Sequence, residues 1–234
     1  MRRILLISNS TSFGSGYLDH CQDEIERFLG PSVGQITFVP YALPEMTGYA
    51  YKVNGRFRKM GYGTVSLHDI EEAAAVLEES EALFIGGGNT FLLLKRLYDK
   101  EVMDVIRRRV GRGMPYIGTS AGSNVACISI RTTNDMPIAY PPSFDGLGIV
   151  PFNINPHYID PDPDSTHKGE TRVQRIQQFH EMNDPYVVGL REGSMLLVEG
   201  DVMTLKGPTG AKLFSRGDDP KEFSEGADLS FLLR

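Results

Sequence analysis

The segment Met114-Pro-Tyr-Ile-Gly-Thr-Ser-Ala-Gly-Ser-Asn124 decides how this chain is read. Pro115 to Ile117 reads as the end of a short buried strand. Gly118-Thr119-Ser120-Ala121-Gly122 then fits the G-x-S-x-G pattern, in which a serine sits on a sharp strand-to-helix turn with its hydroxyl above the end of a sheet. A side chain two residues either side of Ser120 would clash as the chain doubles back, which is why glycine stands at both places. Ala121 to Ala126 can start a helix whose first N–H groups point at whatever Ser120 attacks. Taken alone, the pattern also describes a glycine-rich turn with Ser120 as a helix N-cap. Its surroundings decide between the two.

Upstream, the chain alternates. Arg3 to Ser8 and Ala82 to Ile85 are continuous apolar runs, typical of strands buried on both faces of a parallel sheet. Gln35 to Ala42 and Thr64 to Leu67 read as strands between them. Helices are predicted over Tyr17 to Leu29, Tyr49 to Met60, Asp69 to Ser80 with Asp69 as N-cap, Thr90 to Tyr98 and Val102 to Val110. This order calls for an α/β fold with a mainly parallel, twisted sheet and helices on both faces. Ligands in such folds bind beyond the carboxyl ends of the strands. Gly86-Gly-Gly-Asn89 and Ser120 both follow strands directly, so both belong on that rim.

Downstream, Ile128 to Pro142 reads as irregular, Leu147 to Ile154 as a strand leading to Asn155-Pro156-His157, Asp160 to Gly169 as a polar loop, and Glu170 to Met182 as a helix. Tyr186 to Leu190, Met195 to Glu199, Val202 to Leu205 and Lys212 to Ser215 read as strands. The turns at Glu199-Gly200-Asp201 and Gly207-Pro208-Thr209-Gly210 suggest a small antiparallel ribbon near the C-terminus. With no repeat or flexible linker, residues 1 to 234 are expected to form a single domain.

The composition is that of an ordinary globular protein, 41% apolar and 23% charged over 234 residues. A net charge of −6 argues against nucleic acid or an anionic membrane as a partner. No run is apolar for long enough to span a bilayer. Cys21 and Cys127 lack metal-binding spacing, so a reduced, cytoplasmic protein is the simplest reading. The histidines also lack ligand spacing, and neither metal nor cofactor is expected.

A serine needs a base to take its proton, and the base needs an acid to hold its tautomer. Of His20, His68, His157, His167 and His180, His157 is placed best, since it follows an apolar strand and Pro156 stiffens its approach. His20 and His180 fall within predicted helices, where histidines are usually packed or solvated. For the acid, Glu192 and Asp135 both remain open. The Gly86 to Asn89 run is neither a dinucleotide fingerprint nor a P-loop. It reads better as an oxyanion-hole donor paired with the N–H of Ala121.

Ile85-Gly-Gly-Gly-Asn-Thr-Phe91, Gly118-Thr-Ser-Ala-Gly122, Ile130-Arg-Thr-Thr-Asn-Asp-Met-Pro137, Asn153-Ile-Asn-Pro-His157 and His167-Lys-Gly-Glu-Thr-Arg172 together resemble the peptidase E family of α-aspartyl dipeptidases. They occur in the family's order and span nearly the whole chain. The resemblance implies a cytoplasmic serine peptidase that cleaves dipeptides with an N-terminal aspartate. It also implies a fold related to class I glutamine amidotransferases, with serine replacing their cysteine. Carried over residue by residue, Ser120 is the nucleophile, His157 the base, Glu192 the acid with Asp135 as the alternative, and Gly88 and Ala121 the oxyanion donors.

Selectivity then needs a cation for the substrate's β-carboxylate. Arg172 is the choice, with Arg131 and Arg175 as rivals. Asn89, Asp135 and Glu170 are candidates for the free α-amino group. The partner expected is a small peptide, and the assembly a monomer or homodimer. Asp160 to Thr166, polar and proline-rich, would make a mobile lid. The rival readings are a cyanophycinase-like isoaspartyl peptidase and a non-catalytic module that binds a small anion.

Overall fold

A computed structural model describes every residue except Ser165 and His167. The histidine candidate His167 and part of the expected lid therefore lie outside the described residues. Strand and helix alternate as β1 (Arg3–Ile7), α1 (Gln22–Leu29), β2 (Gln35–Val39), α2 (Met46–Lys59), β3 (Gly63–Ser66), α3 (Ala73–Glu79), β4 (Ala82–Ile85), α4 (Thr90–Asp99), α5 (Met103–Gly111), β5 (Tyr116–Thr119) and α6 (Ala121–Ala126). There follow β6 (Asn153–Tyr158), α7 (Arg172–Met182), β7 (Val187–Arg191), β8 (Met195–Glu199), β9 (Val202–Lys206), β10 (Ala211–Phe214) and β11 (Lys221–Phe223).

The main sheet has seven strands in the order β3-β2-β4-β5-β1-β8-β9. Its first five are parallel, and the β8–β9 hairpin adds to the far side of β1 antiparallel. The unbroken apolar runs follow from this topology, because alternate residues feed opposite faces. Ile4, Leu6, Leu83, Ile85 and Tyr116 pack into one core, and Leu5, Ile7, Ala82, Phe84 and Ile117 into the other. Burying a Leu or Phe side chain contributes roughly 1.5–3 kcal/mol, so the central strands anchor whatever hangs from their ends.

A second, four-stranded sheet runs β11-β10-β7-β6, with β6 and β7 parallel. Ile154, Val188 and Leu190 from it enter the same core as α4, α5 and α6. The C-terminal ribbon is thus divided: β8 and β9 extend the main sheet, while β10 pairs with β7 and β11. β6 is an edge strand, as its Pro156 requires. Its free side is covered by the irregular segment after α6, where Thr132 Oγ1 donates to Ile154 O at 2.8 Å and Asn134 Nδ2 to Pro156 O at 2.7 Å.

Three elements depart from the sequence reading. The strand expected over Leu147 to Ile154 begins only at Asn153 and runs on to Tyr158. The apolar residues Leu147, Val150 and Phe152 are buried as irregular chain, so burial alone imitated a strand. Asp69 ends a 3₁₀ turn, and Glu72 precedes α3 instead. Tyr17 to Cys21 is not part of α1, which starts at Gln22.

Candidate active site

β5 delivers Ser120 between β1 and β4. Thr119 pairs with Ile7 and Gly118 with Ile85, so the next residue clears both neighbouring strands. Ser120 holds φ 51° and ψ −107°, a conformation that an L-residue rarely adopts. Its N–H donates to Ile7 O at 3.0 Å, and its carbonyl accepts from the N–H of Ser123 at 2.9 Å and of Asn124 at 3.0 Å. Ser123 Oγ ties the same turn to Ile7 O and Gly118 O. The flanking glycines are sterically required: a Cβ on Gly118 would stand 2.5 Å from Gly122 O, and one on Gly122 would collide with Ile85 O.

His157 comes from the other sheet. The β6–β7 register shifts between Pro156 and Tyr158, leaving His157 in a bulge with φ 52°. A bulge re-aims a side chain, and here the imidazole is brought to Ser120, with Nε2 2.9 Å from Ser120 Oγ. Its Nδ1 lies 2.6 Å from Glu192 Oε1. An ionised carboxylate only accepts, so Nδ1 carries the proton and Nε2 is free to accept from the serine. Asp135 does not reach the histidine. Its Oδ2 accepts from the N–H of Thr90 at 2.7 Å and from Thr90 Oγ1 at 2.6 Å, closing the first turn of α4. In the hydrogen-bonded chain, the third place is therefore occupied by Glu192.

Two residues not singled out from the sequence hold this pair in place. Ser8, fully buried at the end of β1, accepts from the N–H of His157 at 2.9 Å and donates to Leu190 O at 2.8 Å. Asn9 Oδ1 accepts from the N–H of Gly193, fixing the turn that carries Glu192, at 2.8 Å. Their signal was position alone, since they follow β1 directly on the ligand rim. His20, read as a packed or solvated helical residue, is half-buried and feels the charge of Glu192. Burial outweighs that charge and lowers its pKa below the usual value for histidine.

The Gly86 to Gly88 loop lies against the serine. A Cβ on Gly87 would come 3.2 Å from Ser120 Cβ. The N–H of Gly86 donates to Val39 O at 3.4 Å and that of Asn89 to Ala42 O at 2.8 Å, while the N–H groups of Gly87 and Gly88 have no backbone acceptor among the described residues. Gly88 has φ 136°, and a Cβ there would stand 2.6 Å from Ala42 O, so only glycine fits. Ala121 opens α6, so its N–H has no carbonyl one turn earlier within the helix. The N–H groups of Gly88 and Ala121, at two strand ends, are thus the candidate donors for an oxyanion.

Asn89 is engaged in the fold. Its Oδ1 accepts from the N–H of Leu92 at 3.0 Å, and its Nδ2 donates to Met136 O at 2.8 Å. Glu170 accepts from Gln178 Nε2 at 2.7 Å and lies 3.7 Å from Arg175. Arg172, the first residue of α7, lines an open cleft of about 440 Å³ beyond His157, beside Asp160, Glu170 and Arg175. Burial, then the nearby Arg175, lowers its pKa. Arg131 donates to Asn183 Oδ1 away from the cleft. Among the described residues, no group of three His, Cys, Asp or Glu side chains could hold a metal ion.

Known proteins are similar to this chain along its length. The profile described as "Peptidase family S51" matches residues 4–206. "Peptidase E" of Streptomyces coelicolor is 51% identical over 230 residues, 98% of this chain and 94% of that protein. "Probable alpha-aspartyl dipeptidase" of Drosophila melanogaster is 46% identical over 235 residues, 100% and 98% of the two chains. Among solved structures, a peptidase from an acI-B1 actinobacterium shares the fold with a TM-score of 0.74 at 16% identity, over 99% of this chain and 97% of that one.

Proposed function

This chain belongs to peptidase family S51, and from that premise we propose that Ser120, His157 and Glu192 are the catalytic residues of an Asp-Xaa dipeptidase. The protein is a serine peptidase, a hydrolase acting on small peptides with an N-terminal aspartate. The observation that carries the assignment of residues is the continuous hydrogen-bonded chain from Ser120 Oγ through both ring nitrogens of His157 to Glu192 Oε1.

In this reading Ser120 Oγ attacks the aspartyl carbonyl carbon while His157 Nε2 takes the hydroxyl proton. The carbonyl oxygen becomes an oxyanion, held by the N–H groups of Gly88 and Ala121. Glu192 orients the ring and stabilises the imidazolium. The imidazolium returns its proton to the leaving amine, the C–N bond breaks, and the second residue departs. Water, activated by the same histidine, then cleaves the ester and frees aspartate. Arg172 is the cation for the β-carboxylate. Arg172 joins no ion pair among the described residues, and a site built around such a guanidinium rejects asparagine at that position, because the charge would stay desolvated. The acidic net charge and two buried free cysteines support a cytoplasmic setting without nucleic acid or membrane as partner.

The test is release of free aspartate from Asp-Leu in EDTA, beside β-Asp-Leu, Asn-Leu and Ser120→Ala. Cleavage of Asp-Leu alone, lost in the variant, is the expected result. Cleavage of β-Asp-Leu in preference would overturn the α-aspartyl assignment, and an active Ser120→Ala would overturn the nucleophile.

A further inference from the structure

One open cleft, that of Arg172, begins two residues past His157, at Ile159. The second, of about 600 Å³, opens on the Gly87 and Gly88 side, between the ends of β1, β2 and β4 and the helix α2. Because the Gly87 backbone packs on Ser120, a group held by the serine sits at the mouth of this cleft. Its walls are largely apolar, formed by Tyr17, Leu43 and Tyr49, and its charged groups are Glu45 and Lys52.

Glu45 is already committed. Both its carboxylate oxygens accept from the N–H of Gly48, at 3.0 and 2.9 Å, where they cap α2. Lys52 joins no ion pair among the described residues. It stands three residues after Tyr49, so both face the same side of α2. Its ammonium lies over the Tyr17 ring, 4.3 Å from the centroid. That contact holds a charge in place without neutralising it.

An Asp-Xaa dipeptide carries two carboxylates at neutral pH, one on each side of the scissile bond. The protein offers two clefts, one beginning just past His157 and one beside Gly87 and Gly88, each with a cation that joins no ion pair among the described residues. Resting on the dipeptidase reading, in which Arg172 takes the β-carboxylate, we infer that Lys52 recognises the terminal carboxylate of the leaving residue. The Tyr17, Leu43 and Tyr49 walls then hold that residue's side chain. Lysine suits this role, because a single charge on a flexible stem follows a carboxylate whose position varies with the second residue, where a rigid guanidinium fork would not. The same contact limits substrate length, because a third residue would replace the carboxylate with a neutral amide.

The experiment measures kcat and KM for Asp-Leu, Asp-Leu amide and Asn-Leu with the wild type, Lys52→Gln and Lys52→Arg. Lys52 is exposed, so both variants are expected to fold. The wild type should prefer Asp-Leu over its amide by about two- to fivefold, the upper part of the range for an exposed ion pair. Lys52→Gln should lose that preference through a higher KM for Asp-Leu, with kcat unchanged and the preference for aspartate over asparagine intact. Lys52→Arg, which keeps the charge but not the flexible point-charge geometry, should restore part of it. The inference is overturned if Lys52→Gln keeps the wild-type preference for acid over amide, or loses discrimination against Asn-Leu instead. A wild type that cleaves Asp-Leu without preferring it to the amide overturns this inference alone. A wild type inactive on Asp-Leu overturns the dipeptidase reading beneath it.

Discussion

The two sheets shape the candidate site by different physics. The main sheet contributes Ser120, Gly88 and Ala121 through backbone geometry: strand ends buried on both faces, glycines that nothing larger can replace, and a serine forced to positive φ. The small sheet contributes His157 and Glu192 through polar side-chain contacts. Their side chains are 38% and 52% exposed. Around them, Ser8, Asn9 and the ion-pair group of Asp160, Arg191, Lys212 and Glu222 do the holding. Steric enforcement is local and rigid. Polar enforcement is distributed, so it can be loosened one bond at a time.

The sharpest test of this division sets the two carboxylates against each other. Glu192→Ala should lower kcat on the order of 10⁴-fold with little change in thermal stability, since an exposed acid that orients a histidine acts on the transition state. Asp135→Ala should do the reverse. It should cost about 1 kcal/mol of stability as a lost helix cap and leave kcat within a few-fold. Kinetics beside thermal melts would decide, and a large kcat loss in Asp135→Ala would break the comparison.

Next in size is Gly88→Ala. The added Cβ must displace the loop from Ala42 O, and with it the proposed oxyanion donor, so kcat should fall about 10²–10³-fold. KM should move much less. Unchanged kcat would show that Gly88 is not a donor.

Ser8→Ala probes the joint between the sheets. The N–H of His157 loses its buried acceptor, a cost of about 1–3 kcal/mol in stability. A fall in kcat with unaltered KM should accompany it if Ser8 positions the base. Stability loss with full activity would make Ser8 purely structural.

The smallest effect concerns Asp160, whose carboxyl Arg191 and Lys212 hold down to about 2. A depressed carboxylate pKa stabilises the fold above the unfolded value near 3.8 and loses that contribution as pH falls through about 2. Melting temperatures of the wild type and Asp160→Asn should therefore differ at about pH 5 and converge by about pH 2. Asp160 is partly exposed, so the difference should be small. A gap that persists at the acid end would exclude the ion pair as its source.

The alternation of the first half was legible because burial on two faces leaves unbroken apolar runs in strands and a 3.6-residue stripe in helices. The elbow was legible because its sterics involve residues only a few positions apart. The start of β6 was not, since Leu147, Val150 and Phe152 are as apolar as a strand yet buried as irregular chain. His20 was set aside as a helical residue, although the chain at Asp19–Cys21 is a 3₁₀ turn and the imidazole lies within electrostatic reach of Glu192.

By itself, then, the sequence determined the parallel α/β body, the serine at its rim and the glycines around it, because each follows from periodicity or from contacts between near neighbours. Only the tertiary structure decided that Glu192 meets His157 while Asp135 closes α4, and that Lys52 lines the cleft beside Gly87 and Gly88. Those choices depend on where separate elements come to rest, and spacing along the chain holds no record of distance across two sheets.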